Sequence, residues 1–231
     1  MSEDLQESLR QDVSQLRQRG HFKVAKIGQD STNTLNRQIR EAQTCFIGGT
    51  GRDIPDSPAR SQMTSLLQSV CSRLSEDATL KSPKLDQKLS ELLYAYYPQG
   101  GFYRRHRDAI AGSASVLRTF SLLLYLNKDW SESDEGYLRM HMDSGGDELP
   151  VGEEPNFLDV SPQGGTLVLF DSEKVPHEVL DTKSERLAIV GWHNRELSAP
   201  DIKDLGVDPV RLGMMAVAAG LVTVGLVSIV S

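Results

Sequence analysis

The chain is short of several things, and each shortage closes a class of protein. Two cysteines, Cys45 and Cys71, are too few for a disulfide framework or a four-ligand zinc cage. Both sit among apolar neighbours and read as small buried residues. Basic charge is scarce: 25 Lys and Arg face 32 Asp and Glu, a net charge of -7. A nucleic-acid binder needs a basic face for phosphates, so no nucleic-acid partner is expected, although Arg104, Arg105 and Arg107 form one local basic run. The acidic start, Met1-Ser2-Glu3-Asp4, has no apolar core behind it and lacks the Arg-rich character of a transit peptide, so no targeting segment is expected there. Long apolar runs are missing, with one exception. Leu212–Ser231 is 20 residues without a charge, long enough to span a hydrocarbon core as a helix. Arg211, with Lys203 further back, lies on its N-terminal flank, as on a cytosolic side. This predicts a transmembrane tail anchor on a catalytic unit that stays cytoplasmic.

What remains is ordinary for a folded chain: 39% hydrophobic and 25% charged residues over 231 positions, enough for one domain with a sizeable core. Leu5, Leu9, Val13 and Leu16 recur at helical spacing, with Gly20 as a stop. Phe22–Ile27 alternates like a short strand. Ser31 or Thr32 would cap a second helix through Leu35, Ile39 and Ala42, and a third is expected from Pro58 to about Leu74. After a polar connection at 77–87 the pattern changes to short segments rich in Val, Leu, Ile and aromatics. These are Leu92–Tyr97, Val116–Asn127, Gly136–Met142, Phe157–Val160, Thr166–Phe170, Glu178–Thr182 and Arg186–His193, separated by Gly, Pro and Ser turns. Helices first and strands afterwards give an α+β chain with a two-sheet barrel or jelly roll. The division expected is a helical support over 1–87, the barrel over 88–196, a linker over 197–211 and the apolar helix over 212–231.

His106-Arg107-Asp108 puts two ligand-type side chains at i and i+2, which an extended backbone points to the same side. His177, opening a strand near the end of the barrel, is the best third ligand. Two imidazoles and one carboxylate on one face of an octahedron leave three positions open, the facial triad of non-haem Fe(II) oxygenases. Those openings suit a bidentate 2-oxo acid and O2. The His-x-Asp pair alone is weak; Arg186, nine residues after His177, strengthens it. With a turn at Lys183-Ser184 the two strands would form a hairpin, and pairing His177 with Ala188 would put Arg186, Ala188, Val190 and Trp192 on the His177 face. Arg186 would then take the distal carboxylate of 2-oxoglutarate bidentately, which a lysine does less specifically. A kinase catalytic loop, the other reading of His-Arg-Asp, needs an Asn where Ser113 stands and a phosphate loop that is absent. His141 and His193 read as polar barrel or solvent-facing residues, and His21 lies outside the catalytic half.

These residues resemble the prolyl-4-hydroxylase-like branch of Fe(II)/2-oxoglutarate-dependent dioxygenases. The nearest likeness is to the oxygen-sensing prolyl hydroxylases of the hypoxia-inducible transcription factor and their bacterial relatives. Matching stretches are Tyr97-Pro98 with Gly100-Gly101, Tyr103 to Asp108, Tyr125 to Trp130, Gly136 to Arg139, Pro176 to Val179 and Arg186 to Ile189, closing with Trp192. The resemblance implies a double-stranded β-helix core and hydroxylation of a prolyl residue in a protein substrate, with release of succinate and CO2. It implies Fe(2+), 2-oxoglutarate as co-substrate, O2 and L-ascorbate. By position Tyr125 matches the phenol beside the 2-oxoglutarate carboxylate, Tyr97 and Trp192 line the pocket near the metal, and Arg118 falls near the target proline. Val190 departs from the family, which has a threonine there. The acidic, Gly-rich loop at 143–155 is longer than expected, and the first hundred residues match only loosely. Two alternatives stay open: the same iron chemistry on a non-prolyl substrate, and a silent barrel used as a binding module. The silent form would be marked by a lost ligand, and none is lost.

Overall fold

A strand buried on both faces reads as a near-continuous apolar run, whereas one with a wet face alternates. The computed structural model, which describes residues 1–27, 34–48, 54–80, 84–86, 89, 91–142 and 156–196, has two sheets, with strands of the first kind at the centre of the larger. The six-stranded sheet runs β1-β3-β4-β11-β6-β9 and the five-stranded sheet β2-β5-β10-β7-β8, with every paired neighbour antiparallel. The strands are β1 (Lys23–Val24), β2 (Arg40–Glu41), β3 (Gln43–Phe46), β4 (Glu91–Tyr97), β5 (Phe102–His106), β6 (Arg118–Tyr125), β7 (Leu138–His141), β8 (Phe157–Val160), β9 (Leu167–Asp171), β10 (His177–Val179) and β11 (Arg186–Asn194). Met1–Glu196 packs as one unit.

Parity along the long strands separates the two cores. On β4, Leu92 and Tyr94 join the helix-side core while Leu93, Ala95 and Tyr97 face the other sheet. On β6, Leu122 and Leu124 face the helices while Leu123 and Tyr125 face inward. Each such side chain contributes about 1.5–3 kcal/mol of hydrophobic stabilisation, so a register slip of one residue would exchange both cores at large cost. The helix layer is α1 (Glu3–Gln18) and α2 (Pro58–Glu76). Ser2 caps α1 by accepting from the Leu5 N–H, and Leu5, Leu9, Val13 and Leu16 are its buried stripe. Gly20, at φ +74°, ends that segment in the left-handed conformation that glycine adopts without strain. Ser57 and Pro58 open α2, which buries Met63, Leu67 and Cys71. The Tyr94 hydroxyl donates to Asp12 at 2.9 Å, and Asp12 pairs with Arg60 at 2.9 Å, tying sheet and helices together.

Three expectations need correction or delimiting. The helix expected through Leu35, Ile39 and Ala42 is absent from the described part of that segment. A turn at 37–39 leads into β2 and β3 instead. Thr44, Cys45 and Phe46 suit a strand, and β3 has an unpaired edge of β4 to cover, so sheet pairing overrides local helical spacing. The support region therefore supplies strands to both sheets as well as two helices. The expected hairpin of β10 and β11 does not form either: β10 pairs with β5 and β7, and β11 with β4 and β6. A nine-residue strand buried on both faces needs long neighbours, which the three-residue β10 cannot supply. Finally, the loop at 143–155, the linker and the apolar stretch Leu212–Ser231 lie outside the described residues. Among the described residues no helix is long and apolar enough to cross a membrane.

Candidate metal centre

β5 and β10 lie side by side with His106 directly opposite His177. Cross-strand partners project on the same face, so the two imidazoles meet inside the barrel, with ring centroids 4.3 Å apart. Asp108 follows β5 by two residues. Its backbone N–H and that of Ala109 donate to the Ser172 carbonyl at 3.2 and 3.1 Å, which turns the chain across to the far sheet. One carboxylate oxygen of Asp108 lies 3.7 Å from His106 Nε2 and the other 3.6 Å from His177 Nε2. Ligand atoms of all three residues fall within 4.8 Å of one another, a spacing that one metal ion can bridge.

The surroundings set the ionisation each ligand needs. His106 Nδ1 sits 2.8 Å from the Arg104 carbonyl and His177 Nδ1 3.1 Å from that of Val175. A carbonyl only accepts, so both rings carry the proton on Nδ1 and leave the Nε2 lone pairs toward the shared space. Burial pushes His177 down to about 4, helped by the neighbouring His106 ring. It is therefore neutral near pH 7. Burial alone would raise the Asp108 carboxyl, but the His177 and His106 rings and a bond from Ser121 outweigh it and hold it well below the carboxylate range. Two imidazoles presenting Nε2 and one carboxylate are a donor set that fits Fe(II).

Across the barrel, Arg186 opens β11 and is 1% exposed. Its Nε donates to the Gly136 carbonyl at 2.8 Å and Nη2 to the Tyr125 hydroxyl at 3.2 Å. Nη1 is buried with no acceptor. An unmade charged hydrogen bond in the interior costs roughly 1–3 kcal/mol or more, so this atom marks where an anionic group fits. Gly136 makes the approach possible: its φ is +72°, and a Cβ there would stand 2.7 Å from Thr182 Oγ1 and 3.3 Å from Arg186 Cδ. Tyr125 is fully buried, and burial raises its hydroxyl against the opposing pull of Arg186, so it stays a neutral donor.

A cavity of about 860 Å3 opens onto the three ligands, walled by Tyr97, Leu123, Val190 and Trp192 among others. Arg118 lies on that wall, stacked 3.6 Å over the Trp192 ring. Its Nη2 pairs with Glu91 at 2.6 Å and Nη1 donates to the Asp108 carbonyl at 3.3 Å. The sequence-selected residues His106, Asp108, His177, Tyr97, Arg118 and Trp192 thus share one cavity. Arg186 and Tyr125 are not part of its lining; Arg186 lies 5.0 Å over the ring of Tyr97, which is, and bonds Tyr125. His193 is buried and bonded to the Asp86 carbonyl, and His141 meets Glu178 at 3.1 Å, so neither joins the centre.

Ser121 and Glu91 escaped the sequence reading. The Ser121 hydroxyl donates to Asp108 at 2.7 Å and lies 2.8 Å from the Ser172 hydroxyl. Its signal was available: Ser121 shares inward parity with Leu123 and Tyr125 and is the polar exception in that series. His21, assigned outside the catalytic half, lines the same cavity. Only the pairing of distant segments brings it there.

The sequence profile of the 2OG-Fe(II) oxygenase superfamily matches residues 92–194. The structure is similar to that of a Pseudomonas putida prolyl-4-hydroxylase, with 28% identity, a TM-score of 0.66, and coverage of 85% of this chain and 89% of that one. It is also similar to a Trichoplax adhaerens prolyl hydroxylase solved with a hypoxia-inducible factor oxygen degradation domain peptide fragment. There the identity is 26%, the TM-score 0.67, and the coverage 90% of this chain and 83% of that one. A prolyl 4-hydroxylase from Phytophthora capsici, 21% identical with a TM-score of 0.55 over 90% of this chain and 64% of that one, shares the fold.

Proposed function

The chain belongs to the 2OG-Fe(II) oxygenase superfamily, and from that premise we propose that it hydroxylates a prolyl residue of a protein substrate. Fe(II) with 2-oxoglutarate and O2 supplies the oxidation, which releases succinate and CO2 and leaves a hydroxyl on the substrate C–H. His106, Asp108 and His177 hold the ion, and the Nδ1 bonds of the two imidazoles keep their Nε2 atoms in position. Arg186 takes the distal carboxylate of the co-substrate through its unpartnered Nη1, with Tyr125 donating beside it. Leu123, Tyr97 and Val190 keep water from the reacting face. Trp192 and Arg118, fixed by Glu91, border the position of the target residue.

The observation that carries this reading is the orphaned buried Arg186 nitrogen inside the barrel that holds the three-ligand cluster. A silent barrel would have no need to bury an unpaired cation. The prolyl substrate draws its support from the Pseudomonas and Trichoplax relatives. L-ascorbate, as a reductant for iron, and a membrane anchor at Leu212–Ser231 on a cytoplasmic unit belong to the same proposal.

Anaerobic addition of Fe(II) and then 2-oxoglutarate is expected to produce a weak visible charge-transfer band only when both are present, weakened in Arg186→Ala. With O2 and proline peptides, succinate should form together with a 16 Da gain on proline. A band without proline oxidation in any peptide, but with oxidation of another residue, would keep the chemistry and replace the substrate. Deleting Leu212–Ser231 should move the protein from membrane to soluble fractions with activity intact; an inactive product would make the tail part of the fold.

A further inference from the structure

One wall of the iron-site cavity is built by the N-terminal segment, and its charge runs against that of the chain. Lys23, Lys26 and Arg40 line it, His21 adds a titratable ring, and no carboxylate from residues 21–46 lines it among the described residues. The whole chain carries a net charge of -7, so three permanent cations gathered on one wall are a local reversal. Among the described residues none of the three is in a salt bridge. The acids that do line the cavity are already engaged: Glu91 pairs with Arg118, and Asp108 belongs to the metal cluster.

Arg40 is the most committed of the three. It opens β2 opposite Tyr103, and its guanidinium lies 4.4 Å over that ring, which stacks 3.6 Å from His106. Its Nε is buried without an acceptor, and Nη1 reaches only the Lys26 carbonyl at 3.5 Å. A stacked guanidinium with an unmade hydrogen bond is preorganised for a carboxylate. Val24 and Phe46, 41% and 43% exposed, give the same wall apolar spots between the cations. Apolar and cationic positions alternating over one cavity mouth suit amino-acid side chains better than a phosphodiester track, which needs continuous basic charge.

We propose that the substrate of this site is a polypeptide with an aspartate or glutamate close to the oxidised residue, held by Arg40 with Lys23 and Lys26. This rests on the reading of the site as a peptide hydroxylase. The two contacts through Tyr103 put the Arg40 guanidinium no more than about 8 Å from the His106 ring, and an extended peptide rises ~3.3 Å per residue. The acid therefore belongs within about two to four residues of the target.

The test uses the full-length chain loaded with Fe(II) and 2-oxoglutarate, and peptides matched in sequence apart from one flanking position carrying Glu, Gln or Lys. Each is made with a central Pro and with Ala in its place. Anisotropy reads binding and mass spectrometry reads oxidation. The Glu peptides should bind roughly fivefold tighter than the Gln ones, with the preference falling in 0.5 M salt. In the Pro series the difference should appear in KM and not in kcat. Arg40→Gln should remove it, and Lys26→Glu, which leaves the Tyr103 stack alone, should shift preference toward the Lys peptide. Equal binding of all three peptides with oxidation proceeding overturns the acidic substrate and leaves prolyl hydroxylation standing. A Glu preference abolished by Arg40→Gln, with no Pro peptide oxidised, upholds the wall and overturns the prolyl reading. Absence of both overturns both. A single-stranded oligonucleotide binding the wall more tightly than the Glu peptide also overturns it.

Discussion

The two sheets of the barrel face the same interior but are built to different standards. The six-stranded sheet is covered by α1 and α2 on its outer face and by the barrel core on its inner one, so its central strands are mostly apolar, with Ser121, Arg186 and His193 as buried polar exceptions. The five-stranded sheet has one inner face, short strands and a register shift between His177 and Val179. Its outer side carries polar contacts such as the ion pair of Arg139 with Asp159 and the hydrogen bond between His141 and Glu178. The candidate ligands His106 and His177 come from this lighter sheet, whereas Arg186 and Tyr125 come from the heavier one. The co-substrate end is thus preorganised by packing. The candidate metal end is held by a few hydrogen bonds and would be completed by a bound ion.

Removing a ligand should break that division most severely. Asp108→Ala or His177→Ala is expected to lower iron content and succinate formation by more than ~100-fold, above the usual effect of losing a supporting partner. Metal analysis and coupled succinate assay check it, and near-normal turnover in either variant would withdraw the ligand assignment. Arg186→Ala comes next. The 2-oxoglutarate KM should rise on the order of 100-fold, the scale of losing one partner of a buried charged contact. Iron binding should be retained, because Arg186 bonds Gly136 and Tyr125 and none of the ligands. Loss of both together would mean the two sheets do not act separately. Ser121→Ala probes a side-chain bond that reaches from the heavier sheet to the Asp108 carboxylate. Its hydroxyl is on the heavy sheet and its acceptor is Asp108, so iron affinity should fall ~10-fold with the 2-oxoglutarate KM little changed.

The same contrast explains what sequence could reveal. His106 and Asp108 were legible because local spacing and residue chemistry carry them, at i and i+2 on an extended segment, whereas Arg186 was reached through a hairpin with His177 that does not form. The central strands β4, β6 and β11 were legible because both-face burial leaves continuous apolar runs. Pairing was not. The turn at Lys183-Ser184 looks like a hairpin locally, and only the need of β11 for two long neighbours sends β10 to the opposite sheet. β2 and β3 were hidden for a related reason, since two- and four-residue strands carry too little pattern and take their conformation from the edges they cover. The cationic wall was invisible because His21, Lys23, Lys26 and Arg40 are joined to the site only through those edge pairings.

The smallest expected effect sharpens the comparison from the outside. Arg139 and Asp159 face each other across β7 and β8 in a two-pronged contact of 2.8 and 2.7 Å, with Arg139 also 3.8 Å over the Phe157 ring. By geometry this is the best ion pair on the outer face of the five-stranded sheet among the described residues. Its side chains remain 27% and 29% exposed, so water screens much of the attraction. A double-mutant cycle with Arg139→Ala and Asp159→Ala should give a coupling of about 0.2–1 kcal/mol in urea unfolding. Leu124→Ala on the heavier sheet should instead cost about 2–5 kcal/mol, as a buried leucine does. Phe157, 43% exposed, belongs to the same outer surface, which is wet as described. A coupling above about 2 kcal/mol would require that surface to be covered and the pair desolvated. The lighter sheet would then not be light, and its hold on the ligands would come from packing after all.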